Sequence, residues 1–269
     1  MTKPQSLGNK PSSNAIDGPE VGPVIGIVCA LHLEVAPFLA KVKQFRTESG
    51  NGFHFRGCRW NGTQICLVEG GTGYTRARQA TQALIDAFQP PYVLSVGFSG
   101  GLVPSLKKGD IVVADGVTSA DGKTRLEIDI KMPQNPAHGL HVGHICTTDH
   151  IVRLVKEKEE LASSTGAIAV DMESLGVAQV CQERSTKFLA VRVISDDLST
   201  DLPPEVLALL GPKGSVRAGA LFGSILKRPG CVKDLWGLRE NAQLAAERLG
   251  QFLPGIIEQL PVKKNAPVK

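Results

Sequence analysis

Short, continuously apolar segments that alternate with helix-like segments constrain the fold of this chain more than any other feature. Val24–Ala30, Tyr92–Val96 and Phe188–Ile194 have almost no polar positions. Runs of this kind predict strands that are buried on both faces of a sheet. Because they alternate with amphipathic segments, the sequence predicts the α/β class: a single domain with a central, mostly parallel mixed sheet flanked by helices.

The length of 269 residues suits one large α/β domain. We place this domain at residues 24–260, because no linker-like segment interrupts it. Residues 1–23 are rich in Pro, Gly, Ser and Asn and predict a disordered tail. Residues 261–269 predict a second, C-terminal tail.

Composition argues against several classes of partner. The net charge of +4 is small and lies partly in the tails, and aromatic residues are only 5%, so no nucleic-acid partner is expected. No apolar run approaches the roughly 20 residues that span a bilayer, so no membrane span is expected. The six cysteines form no CxxC pair, which favours a reducing, cytoplasmic location.

Glycine-rich and acidic segments follow the predicted strands. In parallel sheets, ligands bind outside the carboxyl ends of the strands, so these segments are expected to form one site. The segments are Ala30–Glu34, Gly70–Gly73, Gly97–Gly101, Asp171–Glu173 and Ser195–Asp197.

Two of these segments supply carboxylates of different character. Asp196 follows an apolar strand at the mouth of a cleft, where its pKa can rise and it can donate a proton to a purine ring nitrogen. Glu173 lies near a helix start, where it stays ionised and can bind ribose hydroxyls and stabilise an oxocarbenium-like sugar. The alternatives are a helix cap for Asp196 and an ordinary first-turn acid for Glu173, and for Asp171 the first-turn acid is preferred.

A third carboxylate, Glu34, could be the base that orients a water against the sugar, although an acid at a helix start is the more common interpretation. His138, His141 and His144 suggest a metal site. The interleaved glycines argue against a helix, and spacing by three in a strand sends neighbours to opposite faces. We therefore expect solvated loop histidines, no metal and no cofactor.

Five motifs, taken together, resemble the nucleoside phosphorylase/nucleosidase superfamily, and in particular its 5′-methylthioadenosine/S-adenosylhomocysteine nucleosidases. The similarity runs in order from Val24 to Leu198, and the last two motifs are specific as a pair. The motifs are Gly26–Glu34 (GIVCALHLE), Gly71–Gly73 (GTG), Gly97–Leu102 (GFSGGL) with Leu106–Val113, Ala167–Glu173 (AIAVDME) and Val191–Asp196 (VRVISD).

The resemblance implies cleavage of the N-glycosidic bond of an adenine nucleoside. Asp196 would protonate the purine at N7, Glu173 would hold the ribose hydroxyls and Glu34 would activate water. Arg192 and Ser195 would support Asp196. Further substrate-binding positions implied by the matched motifs are Met172 against the sugar, Gly73, Phe98, Ser99 and Gly100 in the glycine turns, and Ile151 near the base. The family also implies a homo-oligomer, here a dimer.

Some segments are closer to another branch. Thr148–Ser174 and parts of Leu202–Leu238 are similar to hopanoid-associated phosphorylases, which implies an adenosylated lipid such as adenosylhopane as an alternative substrate. Phosphate could then replace water. Hexameric phosphorylases carry an arginine where this chain has Ser95, although Arg76 and Arg78 could substitute, and hydrolysis is favoured.

The sequence leaves open the 5′ group of the substrate and does not by itself decide between an N-glycosidase and its alternatives. The sequence does not define the 5′ substituent of the nucleoside. A non-catalytic nucleoside-binding domain is a further alternative, and a metal-dependent hydrolase using the histidines ranks last. The set of Glu34, Glu173 and Asp196 argues against a mere binder, which needs no acid.

Overall fold

A computed structural model describes residues 24–129, 132–204, 206–209 and 231–261 of the chain. Both predicted tails, apart from residue 261, and the helix predicted over residues 216–226 lie outside the described residues. Within them, ten strands form one sheet, and helices pack against it. The strands are β1 Val24–Cys29, β2 Lys43–Gly50, β3 Phe53–Trp60, β4 Thr63–Glu69, β5 Tyr92–Gly101, β6 Ile111–Ser119, β7 Arg125–Glu127, β8 Leu140–Thr147, β9 Ala169–Asp171 and β10 Lys187–Asp196.

The helices occupy the segments whose apolar residues recur at helical spacing. They are α1 His32–Leu39, α2 Tyr74–Phe88, α3 Val155–Thr165, α4 Ser174–Glu183, α5 Val206–Leu209 and α6 Cys231–Gln259, with a short 3-10 turn at Pro136–His138.

Strand β5 is the centre of the sheet. It pairs in parallel with β1 and β10 and antiparallel with β9. The strands β5, β10, β6, β8 and β9 pair in a closed ring, and β1, β4, β3 and β2 extend from it. The predicted single α/β domain is confirmed. The sheet is more mixed than predicted, because β3, β2, β9, β7 and the β10–β6 pair are antiparallel.

Asn61-Gly62 separates two strand-like runs, which predicts a β-hairpin, and this hairpin is present. Both residues have positive φ, 45° and 82°, as a two-residue turn of this type requires, and they join β3 to β4. The neighbouring strand β2 was not predicted. Its residues are polar and mostly exposed, so it lacks the apolar pattern of a buried strand.

Three boundaries differ from the prediction in ways that affect the site. Strand β5 continues through Gly97–Gly101, which was predicted as a turn. The charged amphipathic pattern of Ile151–Ser163 predicts a helix over that segment, but helix α3 begins at Val155, so Ile151 lies in the preceding loop. Asp196 is the last residue of β10 and follows a register irregularity after Ile194. Each shift moves a predicted site residue to a strand end or a loop.

The core has two main parts, one on each side of the sheet. Helices α1 and α6 contribute Phe38, Leu249 and Leu253 to one part. Helices α2 and α4 contribute Leu84 and Val177 to the other. The strands of the central sheet therefore bury both faces, as their continuous apolar sequences predict.

Replacement of Leu94 by alanine is expected to lower the free energy of unfolding by about 2–5 kcal/mol, because the side chain is fully buried at the centre of β5 and would leave a cavity. The matched control is Leu244→Ala on α6, whose side chain is 47% exposed. Urea unfolding of both variants measures the difference. Equal losses in the two variants would contradict this description of the core.

Candidate active site

One cavity lies at the carboxyl ends of β1, β5, β9 and β10, where ligands of α/β sheets bind. Its volume is about 280 Å³. The three carboxylates that the sequence singled out, Glu34, Glu173 and Asp196, all line it. Most of the remaining wall is apolar. Other residues that line the cavity are Leu33, Thr72, Phe98, Ser99, Gly100, Thr148, His150, Ile151, Val152, Met172, Ser195, Leu202, Val206, Leu238 and Asn241.

Glu34 is held rigidly by backbone N–H groups. Its Oε2 accepts hydrogen bonds from the amides of Ala30 (3.0 Å) and Leu31 (2.8 Å), and its Oε1 accepts one from Phe98 (3.0 Å). A Cβ at Gly97 would lie 2.7 Å from Oε1, so glycine is needed there. Burial raises the pKa of Glu34, and the backbone donors oppose this shift. A fixed carboxylate with elevated basicity is suited to accept a proton from water.

Glu173 immediately precedes α4 and points into the cavity. Its Oε1 accepts a hydrogen bond from the amide of Gly73 at 2.7 Å. Burial, followed by repulsion from Asp171, raises the pKa of Glu173 to about 7. The expected fully ionised state is therefore not what this environment favours: desolvation outweighs the helix dipole.

Arg192 does not support Asp196, contrary to expectation. Its guanidinium is almost fully buried and donates from Nε to Asp171 Oδ2 at 2.7 Å, and Nη2 forms an ion pair with the same oxygen, also at 2.7 Å. Nη2 also donates to the Ser95 hydroxyl at 2.8 Å. The Thr147 hydroxyl donates to Asp171 Oδ1 at 2.7 Å, and the Ser174 amide donates to Asp171 Oδ2 at 3.1 Å. Asp171 thus caps α4 and fixes the segment that carries Glu173.

Asp196 has partners on both carboxylate oxygens. Ser195 donates from its hydroxyl to Oδ1 at 2.7 Å, as the predicted support of Asp196 by Ser195 requires. The other partner was not predicted. Lys158 Nζ donates to Oδ2 at 2.5 Å, and the Lys158 side chain is fully buried. In the sequence, Lys158 lies in a run of charged residues within a predicted amphipathic helix. Nothing in that run indicates a buried lysine.

Most of the predicted binding residues lie where they were expected. Met172, Phe98, Ser99, Gly100, Ser195 and Ile151 all line the cavity. The hydroxyl of Ser99 is buried and has no hydrogen-bond partner within the described part of the chain, so it can accept or donate to a bound molecule. Gly73 does not line the cavity and acts one step away, through its bond to Glu173.

Several lining residues were missed by sequence reasoning. Thr72 and Thr148 carry no local signal, because a threonine beside a turn is common. Leu202, Leu238 and Asn241 come from the C-terminal region, where helical periodicity indicates structure but not which face meets the cavity.

The three histidines do not converge. His138 contacts Asn135, His141 contacts Asp110, and His144 lies between Asp115 and Glu127. Across residues 24–129, 132–204, 206–209 and 231–261, no group of three or more His, Cys, Asp or Glu side chains is arranged to hold a metal ion. The expectation of solvated loop histidines is wrong for His141 and His144, which belong to strand β8 and have side chains only 11% and 12% exposed. Both pair with nearby carboxylates, and His138 pairs with an amide.

The two arginines considered for phosphate also point elsewhere. Arg76 donates to the carbonyl of Gly70 at 2.8 Å and stacks on Phe53. Arg78 pairs with Glu183 at 2.9 Å. No Lys or Arg lines the cavity among the residues that the structure describes. A phosphate dianion would therefore find no lysine or arginine on this wall, and His150, which lines it, is already hydrogen-bonded to Asp149 and Glu157.

The arrangement can perform acid–base chemistry on two faces of a bound molecule. Asp196 lies on one side, Glu34 on another, and Glu173 lies beside Met172 on the wall carried by β9 and α4.

In the described residues, no helix is long and apolar enough to cross a membrane.

Curated relatives are similar over most of their length. A protein of Tolumonas auensis named 5′-methylthioadenosine/S-adenosylhomocysteine nucleosidase is 30% identical over 203 residues, which are 66% of this chain and 88% of that protein. Proteins of the same name from Shewanella loihica and Bacillus subtilis are both 29% identical, covering 66% and 64% of this chain and 88% and 85% of their own.

Solved structures share the fold. A Helicobacter pylori 5′-methylthioadenosine/S-adenosylhomocysteine nucleosidase bound to an inhibitor superposes with a TM-score of 0.67 at 22% identity, covering 90% of this chain and all of that one. The futalosine hydrolase of the same organism gives 0.66 at 21% identity, covering 88% and 98%.

A family model covers the greater part of the sequence. It matches residues 24–139 and 131–221, a span that includes Glu34, Glu173 and Asp196 and the strands β1, β9 and β10 that carry or adjoin them. The strand-end site, the shared fold and this match agree. The chain belongs to the Phosphorylase superfamily.

Proposed function

We propose that this protein is an N-glycosidase that cleaves the bond between adenine and ribose in an adenine nucleoside. The observation that carries the proposal is the convergence of Glu34, Glu173 and Asp196 on one largely apolar cavity. Glycosidic cleavage needs an acid at the leaving group, a negative group at the sugar and a base for the nucleophile. The names of the curated relatives add support for 5′-methylthioadenosine or S-adenosylhomocysteine as substrate.

In the proposed reaction, Asp196 passes a proton to N7 of the base while the C1′–N9 bond breaks and its electron pair moves to the base. Positive charge then develops on the sugar. Glu173 stabilises this charge in its ionised form, which the charge itself favours because opposite charges lower a carboxyl pKa. Glu34 takes a proton from the water that attacks C1′. Met172, in the same wall as Glu173, packs against the sugar.

We propose water as the nucleophile. The described wall offers phosphate no lysine or arginine, and Ser95 is already engaged by Arg192 at 2.8 Å. Glu34, in contrast, is a buried base anchored by three amides. With water, the enzyme is a hydrolase; with phosphate, it would be a glycosyltransferase.

A second candidate substrate is an adenosylated lipid. Apolar side chains from several elements line the cavity, among them the exposed Leu33 together with Leu202, Val206 and Leu238. A long apolar 5′ group would bury this surface at about 25 cal/mol per Å². A homocysteine group would place two charges against it.

We also propose a cytoplasmic homodimer. The described cysteines are free and buried, which suits a reducing compartment. The dimer rests on the family resemblance, and light scattering of the purified protein would measure its mass.

Asp196→Asn is expected to lower adenine release from 5′-methylthioadenosine by at least about 100-fold, because an amide cannot supply the proton. Chromatography of adenine measures the rate. The control is Asp86→Asn, a surface aspartate that pairs with Arg184. An Asp196→Asn variant as fast as the control would exclude Asp196 as the acid.

The same assay run with and without inorganic phosphate tests the nucleophile. Equal rates and free ribosyl product are expected. Strict dependence on phosphate, with a ribosyl phosphate as product, would overturn hydrolysis while leaving the cleaved bond unchanged.

The buried carboxyl of Glu173 is expected to make stability depend on pH. Its pKa is raised to about 7, so the folded state holds the proton more tightly than the unfolded chain does. The resulting stabilisation is present at low pH and is lost as the pH rises from about 4.5 towards 7. The free energy of unfolding of Glu173→Gln, taken relative to wild type, should therefore rise by on the order of 1 kcal/mol between about pH 5 and pH 8.

Urea unfolding of both proteins at the two pH values measures this change. Glu160→Gln is the control, because its side chain is 67% exposed. A Glu173→Gln difference that is as flat with pH as the Glu160→Gln difference would contradict the raised pKa.

A panel of adenosines that differ only in the 5′ group tests the apolar wall. If the lipid candidate is correct, kcat/KM should rise from methylthio to long alkyl groups and be lowest for homocysteine. Leu33→Gln should weaken this trend, whereas Leu154→Gln should not, because Leu154 is equally exposed but does not line the cavity. The highest kcat/KM with S-adenosylhomocysteine would reject the lipid candidate.

A further inference from the structure

We infer that Lys158 is a positioning residue that supplies the proton which Asp196 delivers, so that the acid of this site is a lysine–aspartate pair. The inference rests on the proposed function and adds a residue to it. It starts from an unexpected burial: Lys158 has no exposed side-chain surface, although it lies on the otherwise charged helix α3. Its neighbour Lys156 is 85% exposed.

Burial of a lysine needs a compensating partner. Taking an ammonium group out of water costs several kcal/mol unless it is paired and hydrogen-bonded. Lys158 Nζ has two such partners, Asp196 Oδ2 at 2.5 Å and the carbonyl oxygen of Asp197 at 3.1 Å. Both belong to the end of β10 or the residue after it, so the lysine is directed at the proposed acid and not at the solvent.

The surroundings leave room for this pair. A Cβ at Gly100 would lie 3.0 Å from Asp196 Oδ2 and 3.5 Å from Lys158 Cε. Glycine at this position therefore lets β5 pass close to both groups. Lys158 itself does not line the cavity. It can reach a bound nucleoside only through Asp196.

The contact gives the pair a route for a proton. An ammonium group can donate and a carboxylate can accept, so a proton can pass from Lys158 Nζ to Asp196 Oδ2 along the 2.5 Å hydrogen bond between them. When the base gains electron density, Asp196 Oδ2 takes a proton from Nζ and Asp196 passes a proton to N7. Lys158 is left as a neutral amine. After adenine leaves, the amine regains a proton from water, while Glu34 releases the proton it took from the nucleophile.

Other charged groups face the same region and are unchanged in the variants below. Glu34, Glu173, Asp171 and His150 lie around the cavity, and hydrogen bonds to Glu157 and Asp149 raise the pKa of His150. Asp197, whose pKa is lowered by Ser199 and by the nearby Lys107 and Lys108 against the effect of burial, lies beside the pair. These groups are common to wild type and variants, so a difference between pH profiles reports on Lys158.

The test compares Lys158→Met and Lys158→Gln with Lys156→Met, an exposed lysine two residues away on the same helix. Adenine release from 5′-methylthioadenosine is followed from about pH 5 to pH 9, with kcat and KM separated. For both Lys158 variants we expect kcat at about pH 8 to fall at least 10-fold, with KM within about 3-fold of wild type. Without Lys158, Asp196 must take its proton from solvent. The loss of kcat should therefore shrink towards acid pH, where the solvent supplies protons more readily.

Lys158→Arg separates proton supply from charge. Arginine keeps the positive charge but does not lose its proton in proteins, so kcat should stay low. A wild-type kcat in Lys158→Arg would overturn the inference, since charge alone would then suffice. A loss in Lys158→Met and Lys158→Gln that is uniform across pH, or no loss, would also overturn it.

The outcomes separate this inference from the proposed function. If wild type and Lys156→Met release adenine while the Lys158 variants keep the wild-type pH profile, only the role of Lys158 fails. If wild type releases no adenine from any nucleoside of the 5′ panel, the proposed function fails and this inference fails with it.

Discussion

The buried ion pair between Arg192 and Asp171 is the interaction on which the site depends. Arg192 comes from β10 and Asp171 from β9, and Ser95 and Thr147 tie the pair to β5 and β8. Loss of one partner would leave a buried charge unpaired, at a cost of about 3–5 kcal/mol. The pair also fixes the start of α4, and thereby Glu173. Stability and the position of Glu173, the carboxylate that we propose binds the sugar, are thus set by the same contact.

The three carboxylates that the sequence singled out have different local environments, and the roles proposed for them differ accordingly. Glu34 receives three amide hydrogen bonds, Glu173 receives two beside a neighbouring acid, and Asp196 contacts an ammonium group. The side chains are chemically similar, so their roles depend on the partners that the fold provides. One cavity can therefore hold a base, a charge stabiliser and an acid within a small volume.

The sequence predicted the α/β class, the Asn61-Gly62 turn and the meeting of strand ends, because continuous apolar runs and turn residues are local signals. It did not predict β2, whose polar side chains lack that pattern. The family resemblance assigned Arg192 to Asp196 and not to Asp171, and nothing in the charged segment that forms α3 singled out Lys158 as buried. Both have one cause: the partner of a buried charge is set by strand pairing and helix packing across the fold, which sequence spacing does not encode.

The closed ring of β5, β10, β6, β8 and β9 has a consequence for how the molecule behaves at high concentration. Strands within a ring offer no unpaired backbone to another chain. At the other end of the sheet lies β2, whose exposed face carries charged residues such as Lys43 and Glu48. Charges on an edge strand oppose its pairing with a strand from a second molecule. The polar sequence that hid β2 from prediction is thus what keeps this edge from seeding aggregation.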